Sequence, residues 1–229
     1  MSNSLDRGDR LHPGRCDRTR RVLELLAEKL ERIVQSDLLP HGERLFDYGC
    51  GNKPYRSLLR AKFAEYVGGD LAGNQHADVV LGPGGVVPVQ NESFDCVLSS
   101  QVLEHVIEPT SYLRESGRIL KAKGHLILTT HGMWPYHPDP VDYWRWTIEG
   151  LEFELRRAGF EPISVQSVLG PESCALQLWQ DATFERLPRW IQPPYTWAIQ
   201  SLIGLIEQRH PNKLSKDAAV YVILARKSS

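Results

Sequence analysis

Between Thr130 and Thr147 the chain reads THGMWPYHPDPVDYWRWT, which gathers two histidines, two aspartates and five aromatic rings. An alcohol is a poor nucleophile until it begins to lose its proton, and imidazole is the side chain best tuned to take that proton near neutrality. His131 and His137 are therefore the candidate bases, and Asp142 can orient an imidazole or act alone. Trp134, Tyr136, Tyr143, Trp144 and Arg145, with His105 from an earlier LEHV segment, are the candidate acceptor-binding residues. Aromatic faces give such a pocket large apolar walls. The spacing H-x5-H-x-D-x2-D also offers four metal ligands, but zinc favours a tighter, cysteine-richer set and magnesium more carboxylates, so no metal is expected. The competing structural reading makes the prolines stiffeners and the rings a plug for the end of a sheet.

A second constellation is FDYGCGNKPY, residues 46–55, with an acid at a strand tip and Gly-x-Gly before a helical pattern. Glycines let the backbone turn tightly and approach a ligand, and free N–H groups at a helix start favour an anionic group. No Lys-Ser/Thr pair follows, so it is not a Walker loop, and the third glycine of the dinucleotide fingerprint is missing. Asp70 ends the next strand, where a carboxylate can hold both ribose hydroxyls.

The elements that must position these residues follow from periodicity. Val22, Leu23, Leu26, Leu30, Ile33 and Val34 give residues 17–35 a helical stripe. RLFDYG, EYVGGD, ADVVL, FDCVLSS and HLILTT read as five strands, with helices in KPYRSLLRAKF and EPTSYLRESGRIL. Thr147 can cap a further helix that ends at Gly159. PISVQSV and AAVYVILA are two last strands, separated by a mostly helical insertion over 171–215 that suits an acceptor pocket or a dimer contact. Alternating strands and helices predict an α/β fold, a Rossmann-like seven-stranded mostly parallel sheet with helices on both faces and a helical insertion before the last strand. Open sheets of this kind bind ligands beyond the carboxyl ends of their strands. Asp47, Asp70, Ser99 and His131 should then face one crevice.

At this point the sequence resembles the class I S-adenosylmethionine-dependent methyltransferases, in particular their type 11 branch. The matching segments are LFDYGCGNKPY, YVGGDL, VPVQNESFDCVLSSQVLEHV, GRILKAKGHLIL and TIEGLEFELRRAGF, in the family's order and spacing. The resemblance implies S-adenosyl-L-methionine as cofactor, with Asp47, Gly49, Cys50 and Gly51 at its amino-acid end. It implies that Asp70 and Leu71 lie at the ribose and that Ser99, Ser100 and Gln101 form the wall beyond the fourth strand. An acid that the family often places near the third strand is missing between Asp78 and Glu92, leaving Val86 or Val87 and backbone atoms for the adenine. The expected reaction is O-methylation of a sugar or other small-molecule hydroxyl. N- or C-methylation, RNA methylation and a non-catalytic cofactor-binding subunit are the alternatives.

Composition sets the remaining bounds. The 229 residues, 41% hydrophobic and 24% charged, suit one methyltransferase domain over 1–229 with an arm at 1–16. A net charge of −1 gives no general case for nucleic acid, and the arginines at 7, 10, 15, 18, 20 and 21 alternate with acids. Four scattered cysteines and the lack of a long apolar run predict a cytoplasmic chain without stable membrane insertion, acting on a small-molecule or glycan acceptor, with a homodimer as an option.

Overall fold

The computed structural model describes residues 10–209 and 213–228. Seven strands form one sheet in the order β3-β2-β1-β4-β5-β7-β6. They are β1 (Gly42–Tyr48), β2 (Phe63–Asp70), β3 (Val79–Val80), β4 (Phe94–Ser100), β5 (Leu120–His131), β6 (Phe160–Val168) and β7 (Val220–Lys227). Strands β1 to β5 pair in parallel, whereas β7 runs antiparallel to both β5 and β6. The expected mostly parallel sheet is thus present.

Each strand feeds two cores because successive residues point to opposite faces. Leu45, Cys96, Leu98, Ile127, Val222 and Leu224 face α1 (Arg20–Gln35), α2 (Arg56–Leu59), α5 (Pro171–Phe184) and α6 (Gln192–Arg209). Phe46, Val97, Leu126, Leu128 and Ile223 face α3 (Pro109–Ile119) and α4 (Ile148–Arg157). All six helices therefore find a sheet face to cover.

Local chemistry moves several boundaries. Helix α1 begins at Arg20 because Asp17 Oδ1 accepts from both the backbone and the hydroxyl of Thr19 at 2.8 Å, forming a turn ahead of it. Of KPYRSLLRAKF only Arg56–Leu59 is helical, since the chain must re-enter the sheet at Phe63. The third strand shrinks to two residues, as its short connection from Asp70 leaves no room for a crossover helix. Helix α4 has its Thr147 cap, whose hydroxyl accepts from Gly150 N at 3.2 Å, and Gly159 follows at φ +89°.

The α5–α6 hairpin distributes its side chains unusually. Gln177, Gln180 and Gln200 are fully buried and all three amides donate to the Arg18 carbonyl, at 3.1, 3.1 and 2.7 Å. Trp179, Trp190 and Trp197 lie outside, with Trp190 at 79% exposure. One carbonyl, that of Arg18, fixes the approach to α1 on the hairpin. Near the start of α5, Cys174 Sγ donates to Met133 O at 3.3 Å, so the hairpin also touches the loop after β5.

Candidate active site

The glycine turn is built from the ends of β1 and β2. Gly49 and Gly51 adopt φ +83° and +50°, which glycine tolerates best. Gly49 N and Cys50 N both donate to Gly69 O, at 2.8 and 3.0 Å. A Cβ on Gly49 would stand 2.5 Å from Val102 Cγ2, whereas one on Gly51 would meet nothing within 4 Å. The turn is closed underneath and open above, so a ligand can come against its backbone.

Asp70 is more occupied than the sequence implies. Its Oδ2 accepts from Gly51 N at 2.8 Å and Asn74 Nδ2 at 2.7 Å, and its Oδ1 from Leu71 N at 2.7 Å. A carboxylate has about four acceptor positions, so a ribose would share Asp70 with the turn it supports. Asn74 also donates to Gly51 O at 2.8 Å, joining the same network. Leu71 is exposed beside it, and Cys50 is buried with its thiol pushed up to about 12 by burial.

Asp47 lies beneath the turn, buried, and accepts a hydrogen bond from the Tyr66 hydroxyl. Burial pushes its carboxyl up to about 7 against the pull of that hydroxyl, while Asp70 raises it further and Lys53 and Arg10 lower it. Leu11 packs against the same core cluster as Tyr55, so the chain ahead of α1 lies against the fold. Residues 1–9 of the expected arm lie outside the described residues.

Beyond β4 the three expected wall residues separate. Ser99 is buried in the core, where its Oγ accepts from the Tyr112 hydroxyl at 2.8 Å, so it does not face the crevice. Strand alternation turns Ser100 the other way, with its Oγ 3.1 Å from Thr129 Oγ1. Gln101 takes φ +57° and its amide donates to the same hydroxyl at 3.1 Å.

The acceptor end centres on a residue that the motifs did not single out. Glu104, in the 3-10 turn Leu103–His105, is fully buried and accepts from Thr130 Oγ1 at 2.8 Å. Its other oxygen, Oε1, stands 3.4 Å from His131 Nε2. Burial pushes the Glu104 carboxyl up to about 7 and drives the His131 imidazole well below its usual range, with His137 and Arg145 adding to the latter. His131 stacks on Trp134 at 4.9 Å and 7°, and its ring meets that of His137 edge-on at 4.8 Å. His105 completes the group, 4.9 Å from the His137 ring, with Nδ1 2.6 Å from Val141 O. The acid in LEHV was the available signal.

Asp142 is bound into the loop. Although burial opposes ionisation, the Arg145 guanidinium and the His137 backbone N–H hold its carboxyl far below the carboxylate range. Arg145 Nη1 donates to Asp142 Oδ1 at 2.6 Å, and its other nitrogens to Trp134 O and Pro135 O at 2.9 and 2.6 Å. Such an acid is a poor proton acceptor, which favours the orienting role over the independent base. The four-ligand spacing read from the sequence is likewise replaced by a group of Glu104, His131 and His137. Tyr136 is 73% exposed, and Tyr143 and Trp144 are also exposed. Trp144 Nε1 donates to Val106 O at 2.7 Å, and its ring stacks on Trp146. Of the expected walls, Trp134 and His105 touch the central histidines, and the other rings lie farther out.

Residues 17–165 match the family described as Methyltransferase domain. The chain belongs to the class I S-adenosylmethionine-dependent methyltransferases, and its cofactor is S-adenosylmethionine. A ubiquinone biosynthesis O-methyltransferase of Ruegeria sp. is 32% identical over 52% of this chain and 53% of its own length. The chain thus spans about half the length of the first curated relatives it matches. The 27-O-demethylrifamycin SV methyltransferase of Amycolatopsis mediterranei is 25% identical, over 88% of this chain and 78% of the relative. Among solved structures, a Haloferax volcanii methyltransferase complexed with its Trm112 activator aligns over 100% of both chains with a TM-score of 0.62 at 15% identity, a likeness of fold. Among the described residues no helix is long and apolar enough to cross a membrane.

Proposed function

We propose that the protein transfers the methyl group of S-adenosylmethionine to a hydroxyl oxygen of a small, ring-bearing molecule. The observation that carries this reading is the buried Glu104–His131 pair, placed beyond β4 and β5 on the same edge of the sheet as the glycine turn. The Tyr112 hydroxyl donates to Tyr48 O at 3.2 Å and to Ser99 Oγ at 2.8 Å, so the ends of β1 and β4 are close neighbours.

The donor needs little chemical help. Its cationic sulfonium releases the methyl in line, leaving an electron pair on sulfur, so the protein mainly holds donor and acceptor in register. Gly49, Gly51, Asp47 and Asp70 would hold the donor. His131 would relay the hydroxyl proton as the oxygen–methyl bond forms, taking it on one ring nitrogen and passing the proton of the other to the Glu104 carboxylate, because burial leaves the imidazole a weak base and raises the carboxyl to about 7. The Trp134 ring behind His131 excludes water from that side.

A phenolic hydroxyl comes first as acceptor and a sugar hydroxyl second, because the names of the two curated relatives above specify an O-methyltransferase of ubiquinone biosynthesis and an O-methylated rifamycin. The RNA reading loses support from its own arginines. Arg18 lies over the Phe184 ring and pairs with Glu185, and Arg21 pairs with Glu24 at 2.8 Å. The test is incubation with donor labelled on the methyl and panels of phenols, catechols, sugars and RNA, followed by mass spectrometry. Label on a hydroxyl oxygen supports the reading. Label on nitrogen, carbon or RNA alone, or none with cofactor bound, overturns it.

A further inference from the structure

We propose that Glu104, His131 and His137 form a divalent-cation site at the acceptor end of the cleft. The inference rests on the acceptor assignment above and changes one part of it: with a cation on its Nε2, His131 holds the ion and the acceptor proton leaves to water. One donor atom from each residue lies within 4.8 Å of the other two. Glu104 Oε1 and His131 Nε2 are 3.4 Å apart. Two ligands held at ~2.1 Å on one ion, at angles between octahedral and tetrahedral, stand roughly 3.0–3.4 Å from each other. The pair is already at ligand spacing, and the third donor atom, from the half-buried His137, lies within 4.8 Å of both.

Unmet bonding demand points the same way. Glu104 is 0% exposed, and its Oε1 receives no hydrogen bond even though Oε2 is satisfied by Thr130. A buried carboxylate oxygen without a donor is costly. His131 is also buried, and its Nδ1 makes no hydrogen bond, so no partner there forces the proton onto one particular nitrogen. Its ring orientation comes instead from stacking on Trp134.

His137 has the support that a ligating imidazole needs. Asp142 Oδ2 accepts from its backbone N at 2.8 Å and lies 3.4 Å from its Nδ1, which leaves Nε2 for an ion. A carboxylate behind a ligand histidine fixes the ring and raises its basicity. Arg145 anchors Asp142 in turn. Two imidazoles and one carboxylate suit zinc, cobalt(II), iron(II) or manganese(II) better than magnesium or calcium. Three protein ligands also leave positions open to water or to an acceptor oxygen.

Cobalt(II) is the probe, since its visible absorption reports its ligands, with zinc as competitor. The metal-stripped chain should take up one cobalt ion, and zinc should displace it. Uptake should disappear in Glu104→Gln and His137→Gln, persist in His76→Ala at an exposed position, and weaken ~10–100-fold in Asp142→Asn. Thermal melts identify the folded variants, and Glu104→Gln keeps the size and shape of the side chain. Absence of stoichiometric uptake by the folded wild type, or uptake unchanged in a folded Glu104→Gln or His137→Gln, overturns the site. S-adenosylmethionine binding and methyl transfer are measured on the same samples. Transfer to a hydroxyl without cation uptake defeats only the cation site; uptake without transfer to any hydroxyl defeats only the acceptor reading.

Discussion

The amide of Gly51 donates to Oδ2 of Asp70 at 2.8 Å, so the glycine turn of one strand is fastened to the acid at the tip of the next. Replacing Asp70 therefore releases the turn and, on the proposed cofactor placement, also removes a ribose contact. Asp70→Ala should weaken S-adenosylmethionine binding by about 1.5–3 kcal/mol, the usual worth of a charged hydrogen bond. Calorimetry checks this, and wild-type affinity would remove Asp70 from the cofactor site.

Gly49 admits no side chain. Its φ of +83° opposes substitution, and so does the Val102 methyl, which would lie 2.5 Å from any Cβ placed there. Gly49→Val should abolish cofactor binding and lower the melting temperature. Gly51→Ala has open space around it and should bind with a smaller loss, attributable to its φ of +50°.

Asp47 gives a pH signature. Its carboxyl is raised by burial to about 7 from 3.8, so the folded chain keeps this proton longer than the unfolded chain. The stability it contributes is full below pH 3.8 and is lost as pH rises through 7. Asp47→Asn should flatten that loss in melts of the free protein. An ammonium group arriving with the cofactor would favour the carboxylate, so binding at a pH of about 6.5–7 should release a proton. Calorimetry in buffers of different ionisation enthalpy measures the release, which should vanish in Asp47→Asn.

His131→Ala should bind S-adenosylmethionine as the wild type does and lose about 10²–10⁴-fold in turnover. Glu104→Gln should reduce turnover with cofactor affinity preserved. If His131→Ala turns over normally, the proton goes elsewhere and His131 is only a packing residue.

The loop after β5 can move only where Arg145 releases it. The guanidinium ties Asp142 to Trp134 O and Pro135 O, and Glu104 O holds Tyr143 N and Trp144 N at 2.9 and 3.2 Å. We expect the amides of Tyr136 and Val141 to exchange hydrogen faster than those of the flanks and to slow when cofactor and acceptor are bound. Arg145→Ala should speed exchange across the segment and raise the acceptor KM more than it alters cofactor affinity. Full protection of these amides in the free protein would make the loop a fixed wall.

What the sequence revealed depended on how local the cause was. Apolar periodicity placed β4 at Phe94–Ser100, and Thr147 marked its helix, because a few adjacent residues decide those features. KPYRSLLRAKF looked helical throughout, but the geometry of re-entry at Phe63 overrode its periodicity. The histidines were visible as residue types, whereas Glu104 and His131 meet only through the pairing of β4 with β5. From the sequence Asp142 can either orient an imidazole or act alone, and only folding brings Arg145 onto it.

The strand order has a consequence for biosynthesis. The last in chain order of the seven strands, β7, lies between β5 and β6, pairing with β5 through seven residues and with β6 through eight. Until it emerges, β6 has no place in the sheet and the outer side of β5 is an open edge, at the strand whose tip carries His131. Ribosomal synthesis thus delivers the other six strands before that edge can be closed, and the nascent chain must shelter it in the meantime.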